Sequence, residues 1–462
     1  MDKLKLIAIA LLAGTAACAT GARTSSSPAI DSASVSRGAT GAMLDSLLVR
    51  YEMYGFSGSV LVARDGEIVL SKGYGFADRE TRVRATPRTY YDFGSITKTI
   101  VGAAILELEA KGQLDVGDSI ARVLGPMPEV KRAITIRELA THTSGLPSGG
   151  RSTASMDRSA FIENMKSVAL EASPGTTYRY SNAGASLLSA IVELVAHEPF
   201  GDFARRELFQ PIGVVSGFRW EPEWDARRAR GYHRKPDDPN AEARAIPMLW
   251  GDRGATGWIA TVPDVYRWEQ AIERGSLLPA HENAQLMDTT VEEAFGWHWQ
   301  THGRGDLAML SKGGDFPGFQ SQVLAYPTRH TVIVWANNDD TWRWRTLLNE
   351  GISRIALVEA PALLPPPIIG VDSATLMRLA GTYADTTGAE VEIKSWDNGL
   401  YVASGDSSVK GMMFFRTGSD YFTALPAKGM QLRTLHFDLD PRGEVSRVVM
   451  DPDSARRIWR RH

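Results

Sequence analysis

The stretch Ser95-Ile96-Thr97-Lys98 opens a helical pattern that runs from Ile96 to Lys111, with Gly112 placed as its C-cap. Residues three apart share a helix face, so the Lys98 nitrogen comes to the Ser95 hydroxyl. A helix N-terminus also favours the negative charge that develops on a reacting serine oxygen. A lysine acting as base must be partly neutral, so its pKa must fall from about 10.4 toward roughly 7–8 through burial and nearby positive charge. The motif is weak alone. The same spacing recurs at Ser407 to Lys410, in a β-patterned tail with no other hydrolase-like residue beside it, and reads as chance.

Two further elements lie downstream. Tyr180-Ser181-Asn182 is the one Tyr-x-Asn of the chain. A tyrosine hydroxyl beside a lysine can act as base or proton shuttle, and an amide side chain can hold a substrate carbonyl. Lys312-Gly313-Gly314 is the one Lys-x-Gly. Its glycines let a strand edge approach a substrate closely, and Lys312 adds a fixed positive charge. The backbone N–H groups of Asp315 and Ser95 could together form an oxyanion hole. Singly, each element has a bland reading, as a loop cap or a solvated lysine. In this order, on these predicted elements, they point to a serine nucleophile. Ser-x-x-Lys with a Ser-Asp-Asn-type motif and Lys-Thr-Gly marks class A β-lactamases and penicillin-binding proteins.

The flanking segments set the frame. Of 462 residues, 43% are hydrophobic and 23% charged, which suits two or three globular domains. The net charge of −3 and the lack of a basic block exclude nucleic acid as an expected partner. Residues 1–18 read as a signal peptide. Met1-Asp2-Lys3-Leu4-Lys5 is basic, Leu6 to Gly14 is apolar, and Thr15-Ala16-Ala17-Cys18 is small. Cys18 is the only cysteine, so no internal disulfide can form. Ala-Ala before Cys resembles a lipoprotein signal with Cys18 lipidated, while Ala17-Cys18-Ala19 also fits ordinary secretion. The lipoprotein reading is preferred, giving a protein of the bacterial cell envelope that meets a membrane only through an N-terminal lipid anchor. Residues 19–42 read as a flexible tether.

A hairpin is expected over Ser57 to Gly75, turning at Arg64-Asp65-Gly66-Glu67. Strands are expected at Phe295 to Trp299 and Val332 to Trp335, and a last helix over Thr341 to Val358. The Leu363-Leu364-Pro365-Pro366-Pro367 run marks a stiff linker, taken as 359–375. Beyond it, turns at Asp397-Asn398-Gly399 and Asp440-Pro441-Arg442-Gly443 separate short strands, so 376–462 reads as a small β-barrel or sandwich.

From about Gly55 to Asn338 the chain resembles the β-lactamase-related serine hydrolases, which include class C β-lactamases, D-Ala-D-Ala carboxypeptidases, D-aminopeptidases and esterases. The resemblance is carried by the three motifs and by Gly58 to Gly66, Ile134 to Pro147 with its Thr141-His142-Thr143-Ser144-Gly145-Leu146-Pro147 run, Tyr178 to Gly184, and Gly314 to Phe319. The tail from Leu379-Ala380-Gly381-Thr382-Tyr383 resembles the β-barrel appended to many members. The resemblance implies an α/β fold over 43–358, with an antiparallel sheet flanked by helices, an inserted helical domain and a cleft between them. It implies Ser95 as acylated nucleophile, Lys98 and Tyr180 sharing proton transfer, Asn182 positioning substrate and Lys312 supplying charge. No cofactor is implied. The substrate is a small molecule or a peptide, and the oligomeric state is left open.

One departure matters. The third motif is Lys-Gly-Gly rather than Lys-Thr-Gly, and Gly313 lacks the hydroxyl that holds a substrate carboxylate in true β-lactamases and carboxypeptidases. This weakens a β-lactam reading and leaves acyl transfer intact. The alternatives are a catalytically silent envelope lipoprotein that binds peptidoglycan or a peptide in the cleft, and a tail that is itself the functional module. The pair His298 and His302 has zinc-protease spacing, but Trp299 replaces the needed Glu and the segment reads as a strand, so no metal is expected. His142 is expected to bond locally, and Trp250, Trp258 and Trp297 to pack in the core. The segment from Phe218 to Trp250 is expected to supply a cleft wall.

Overall fold

The computed structural model describes residues 34–462, apart from 150–152, 154, 219–220, 234–240, 243–247, 301–307, 341–342, 359–363, 397–398, 406–411, 419–420, 426–431, 452–456 and 462. Cys18, the signal segment, His302 and the Ser407–Lys410 pair lie outside the described residues.

The first hairpin forms for the expected reason. Asp65 and Gly66 both take positive φ, 50° and 80°, as a two-residue hairpin turn requires. Two neighbouring elements fall where a tether was expected. A short strand β1 (Val35–Ser36) pairs with β3 (Glu67–Tyr74), and helix α1 (Gly38–Met53) follows it at once. The tether reading of 19–42 therefore fails over its last residues. Its small residues there answer a packing demand, because a Cβ on Gly41 would lie 2.5 Å from the Val69 carbonyl oxygen.

The main sheet continues with β2 (Gly58–Arg64), β4 (Glu293–Ala294), β5 (Trp297–Gln300), β6 (Met309–Phe316), β7 (Phe319–Tyr326) and β8 (Thr331–Asn337). Its order is β1-β3-β2-β8-β7-β6-β5-β4, and every pairing is antiparallel. Alternation along the strands gives the sheet two apolar faces. One face sends Val60, Val62, Leu324, Ile333 and Trp335 against Leu44, Leu47 and Leu48 of α1 and against Trp344, Leu348 and Ile352 of the helix Arg343–Val358. The other face carries the helical insertion, which contains α2 (Thr97–Ala110), α3 (Asn182–Ala196) and α4 (Val262–Glu273). Helix α4 packs on β2 and β8 and ties to α2 through the Trp268 indole N–H, 3.0 Å from Thr99 Oγ1. Helix Arg343–Val358 is α5 below.

The tail closes into an eight-stranded antiparallel barrel, Gly381–Ala384 through Arg457–Arg461, around Tyr383, Val402, Phe414, Phe437, Val448 and Trp459. Its outer residues Tyr401, Met413 and Phe415 join the cluster of α1 and α5. The Phe415 ring meets the Tyr54 ring edge-on at 5.4 Å, and the Tyr54 hydroxyl donates to the Pro366 carbonyl at 3.0 Å. The barrel thus packs on the α1 and α5 side of the sheet, behind the face that carries α2.

Candidate active site

Ser95 lies in a 3₁₀ turn (Gly94–Ile96) that runs directly into α2. The turn is pinned from below. The Gly94 N–H donates to Asp92 Oδ1 at 2.7 Å, and Thr97 Oγ1 donates to the Gly94 carbonyl at 2.7 Å. Asp92 is buried, which pushes its carboxyl up to about 7 against the pull of the Gly94 and Gly257 N–H groups.

Lys98, one helical turn after Ser95, is 2% exposed. Its Nζ lies 3.1 Å from Ser95 Oγ, 2.7 Å from Asn182 Oδ1 and 2.7 Å from the Ala255 carbonyl. Burial, and next the Lys312 charge, hold the amine well below the usual lysine range, with Glu293 opposing. The Tyr180 hydroxyl donates to Ser95 Oγ at 2.8 Å. Its ring lies near two lysine nitrogens, with Lys98 Nζ 4.8 Å and Lys312 Nζ 5.2 Å from its centroid. Burial raises the Tyr180 phenol, so it stays protonated at neutral pH.

Beneath this group sits a residue that no motif signals. Glu293, in β4, is fully buried and pairs with the equally buried Lys312. It also takes His142 Nε2 at 3.1 Å, the Tyr178 hydroxyl at 3.1 Å and His298 Nε2 at 2.7 Å. Burial alone would raise its carboxyl, but the Lys312 charge and the two imidazoles hold it well below the carboxylate range. The Ser181 N–H donates to His142 Nδ1 at 3.0 Å, so the proton of the neutral ring is on Nε2 and points at Glu293. Burial lowers the His142 pKa, which keeps the ring neutral. His142 thus joins the Tyr-x-Asn loop to the charge pair, a longer reach than the local bond expected. His298 lies in β5 as expected, and no group of three or more His, Cys, Asp or Glu suited to a metal ion occurs among the described residues.

Strand β6 forms the other wall. It pairs with β5 only through Met309, Leu310 and Ser311, so Lys312 to Phe316 has β7 as its sole described strand partner and one edge open to the site. Two glycines let this strand meet the Ser95 turn. A Cβ on Gly94 would lie 2.6 Å from the Asp315 nitrogen, and one on Gly314 would lie 1.9 Å from the Phe93 carbonyl oxygen. The Asp315 amide therefore runs alongside the residue before Ser95. Asp315 itself is exposed and bonds Arg345 Nη2 at 2.8 Å and Gln320 Nε2 at 3.1 Å.

The structure thus brings Ser95, Lys98, Tyr180, Asn182 and Lys312 into one cluster, with Gly314 and the Asp315 amide against the Ser95 turn, while Gly313 faces Arg345 of α5. Asn182 meets Lys98 through its carbonyl oxygen, a contact its expected substrate role did not include. Trp250, Trp258 and Trp297 are core residues. The wall expected over 218–250 falls partly outside the described residues. Residues missed by sequence are Glu293, Ala255 and Asp92. The first lies in Val291-Glu292-Glu293, where nothing distinguishes it from a surface acid.

Comparison with known proteins gives the family and the fold of the chain. The chain is 27% identical over 285 residues to the putative penicillin-binding protein PbpX of Bacillus subtilis, covering 62% of this chain and 71% of that one. It is 26% identical over 384 residues to penicillin-binding protein 4* of the same organism, covering 76% and 84%. Among solved structures, the octameric penicillin-binding protein homologue from Pyrococcus abyssi superposes with a TM-score of 0.63 at 19% identity, over 90% of this chain and 99% of that one. The beta-lactamase/D-alanine carboxypeptidase from Pseudomonas syringae gives 0.61 at 19% identity, over 70% and 100%. The beta-lactamase family model matches residues 47–354, well over half of the chain, and the protein belongs to that family.

Proposed function

We propose that the protein is a serine hydrolase that cleaves an ester or amide through an acyl-enzyme on Ser95. The observation that carries this reading is the Lys98 environment. A neutral amine has two N–H bonds and one lone pair. Asn182 Oδ1 and the Ala255 carbonyl, each at 2.7 Å, accept the two N–H bonds, which leaves the lone pair for the Ser95 proton at 3.1 Å.

Ser95 Oγ bonds to the substrate carbonyl carbon as its proton passes to Lys98. The oxyanion is received by the Ser95 and Asp315 amides. The bond to the leaving group breaks, and the departing oxygen or nitrogen takes a proton from the Tyr180 phenol, which Lys98 resupplies. Water then adds to the acyl carbon as one of its protons passes to Lys98, the bond to Ser95 Oγ breaks as that oxygen regains a proton from Lys98 or Tyr180, and the acid is released. Asn182 keeps Lys98 aimed at Ser95, and Lys312 sets the charge around Tyr180. The signal at 1–18 supports export to the cell envelope, with Cys18 as the lipid-bearing residue. No helix among the described residues is long and apolar enough to cross a membrane.

The test is mass spectrometry of the body from residue 34 onward after exposure to p-nitrophenyl esters, a fluorophosphonate and a penicillin, beside Ser95→Ala. The name shared by the two Bacillus relatives puts penicillin among the reagents. The expected result is an adduct on the Ser95 peptide, absent from the variant. A folded protein that takes no adduct from any reagent would overturn the proposal.

A further inference from the structure

The departure at Gly313 has a structural counterpart on α5. A Cβ placed on Gly313 would lie 2.1 Å from Arg345 Nη1 and 3.0 Å from Gln322 Oε1. The space that a threonine side chain would need is therefore occupied by the Arg345 guanidinium. The arginine could swing aside only by giving up what holds it. Its Nη1 donates to Gln322 Oε1 at 2.7 Å and to the Ser321 carbonyl at 3.2 Å. Its Nη2 donates to Asp315 Oδ1 at 2.8 Å and to the Gly314 carbonyl at 3.1 Å. A guanidinium has two N–H bonds on each terminal nitrogen, so all four are committed within the protein.

Three features follow at the open edge of β6. The hydroxyl that would hold a substrate carboxylate is absent. The cation that stands in its place has its terminal donors spent. The Asp315 carboxylate, 69% exposed on its side chain, presents negative charge beside the same strand. An incoming carboxylate would find neither that hydroxyl nor a terminal guanidinium N–H to accept from, and would face a like charge, which costs affinity. Lys312, the other cation nearby, is turned toward buried Glu293.

We propose that Gly313, Arg345 and Asp315 form a subsite that rejects carboxylates, so that the substrates are esters or amides whose leaving group is uncharged where it lies along β6. Arg345 is a positioning residue here: it fills the slot and braces the strand that carries the Asp315 amide. The inference rests on Ser95 being the acylated nucleophile, and it narrows the substrate class of that site.

The experiment compares kcat/KM for the phenyl and 3-carboxyphenyl esters of N-phenylacetylglycine, which share an acyl group and differ by one carboxylate on the leaving group. Fluorophosphonate labelling of Ser95 is followed in parallel. The native protein is expected to prefer the phenyl ester by about tenfold or more, since even a single added methylene discriminates by at least about that factor. Asp315→Ala removes the exposed charge and frees Arg345 Nη2, and should narrow that preference severalfold through KM of the carboxylated ester. The double variant Gly313→Thr with Arg345→Ala should narrow it further. Because Asp315 is exposed, its variant keeps the test valid where the double variant does not fold. A native preference for the carboxylated ester, or an unchanged ratio in Asp315→Ala with Ser95 still labelled, would overturn this inference alone. A native Ser95 that no reagent labels would overturn the acyl-enzyme reading, and this inference with it.

Discussion

Lys312 and Glu293 form an ion pair in which both side chains are almost wholly shielded from water, 3% and 0% exposed. The pair sits under the Tyr180 ring, and Glu293 also receives His142, Tyr178 and His298. Removing one partner of such a pair strands the other charge. Glu293→Gln is therefore expected to lower stability by about 3 kcal/mol or more, read from urea unfolding. A loss below the error of that measurement would mean that the pair does not organise the site.

The same pair bears on the Lys98 amine. Lys312 is the second cause of the depressed Lys98 pKa, after burial, and Glu293 pulls the other way. Lys312→Met removes the depressing charge and leaves the raising one, so both changes push the Lys98 amine up. The acid limb of the Ser95 labelling rate should move to higher pH by about one unit, a typical effect of one close charge. A limb that stays in place would assign it to another group.

Tyr180 carries a protonated hydroxyl 2.8 Å from Ser95 Oγ. Tyr180→Phe keeps the ring beside Lys98 and Lys312 and deletes only the hydroxyl. We expect kcat/KM to fall by about 10²- to 10⁴-fold, the usual worth of one acid–base group, with little change in melting temperature. Near-native turnover would leave Lys98 alone to carry the protons.

Asp92 gives a pH signature in stability. Its folded pKa, near 7, is raised above the unfolded value, so the native state binds the extra proton. The stability it lends is full below about pH 4 and is lost as pH rises through 7, by up to about 4 kcal/mol. Asp92→Asn does not titrate and can still accept the Gly94 N–H. Its melting temperature should gain on the native protein as pH goes from 4 to 8, and a constant difference across that range would rule the assignment out.

The barrel should act on stability and not on chemistry. Phe415 packs on Tyr54 behind the sheet, away from Ser95. Phe415→Ala is expected to cost about 3 kcal/mol, as for other buried aromatic truncations, with kcat/KM within twofold of native. A large kinetic effect would show that the barrel reaches the cleft.

Much of this protein is written locally. The Asp65-Gly66 turn, the alternation in Val60 and Val62, and the helical run after Ser95 each follow from a few neighbouring residues, because hydrogen-bond geometry and period act over one or two turns. The three motifs are legible for the same reason. Chemistry restricts the residue types, and close backbone approach demands the glycines at 313 and 314. The helix from Gly38 was hidden because its small residues answer to Val69, a strand away. Glu293 was hidden because its burial and its charge partners come from segments far apart in sequence, His142, Tyr178 and Lys312. Arg345 is an ordinary helix residue until α5 is laid on the sheet and its guanidinium fills the space above Gly313. The sequence determined the fold class and the three motifs. Only the tertiary structure decided the charge environment of these residues and what fills the space beside Gly313, since both depend on water removed and groups brought close by distant parts of the chain.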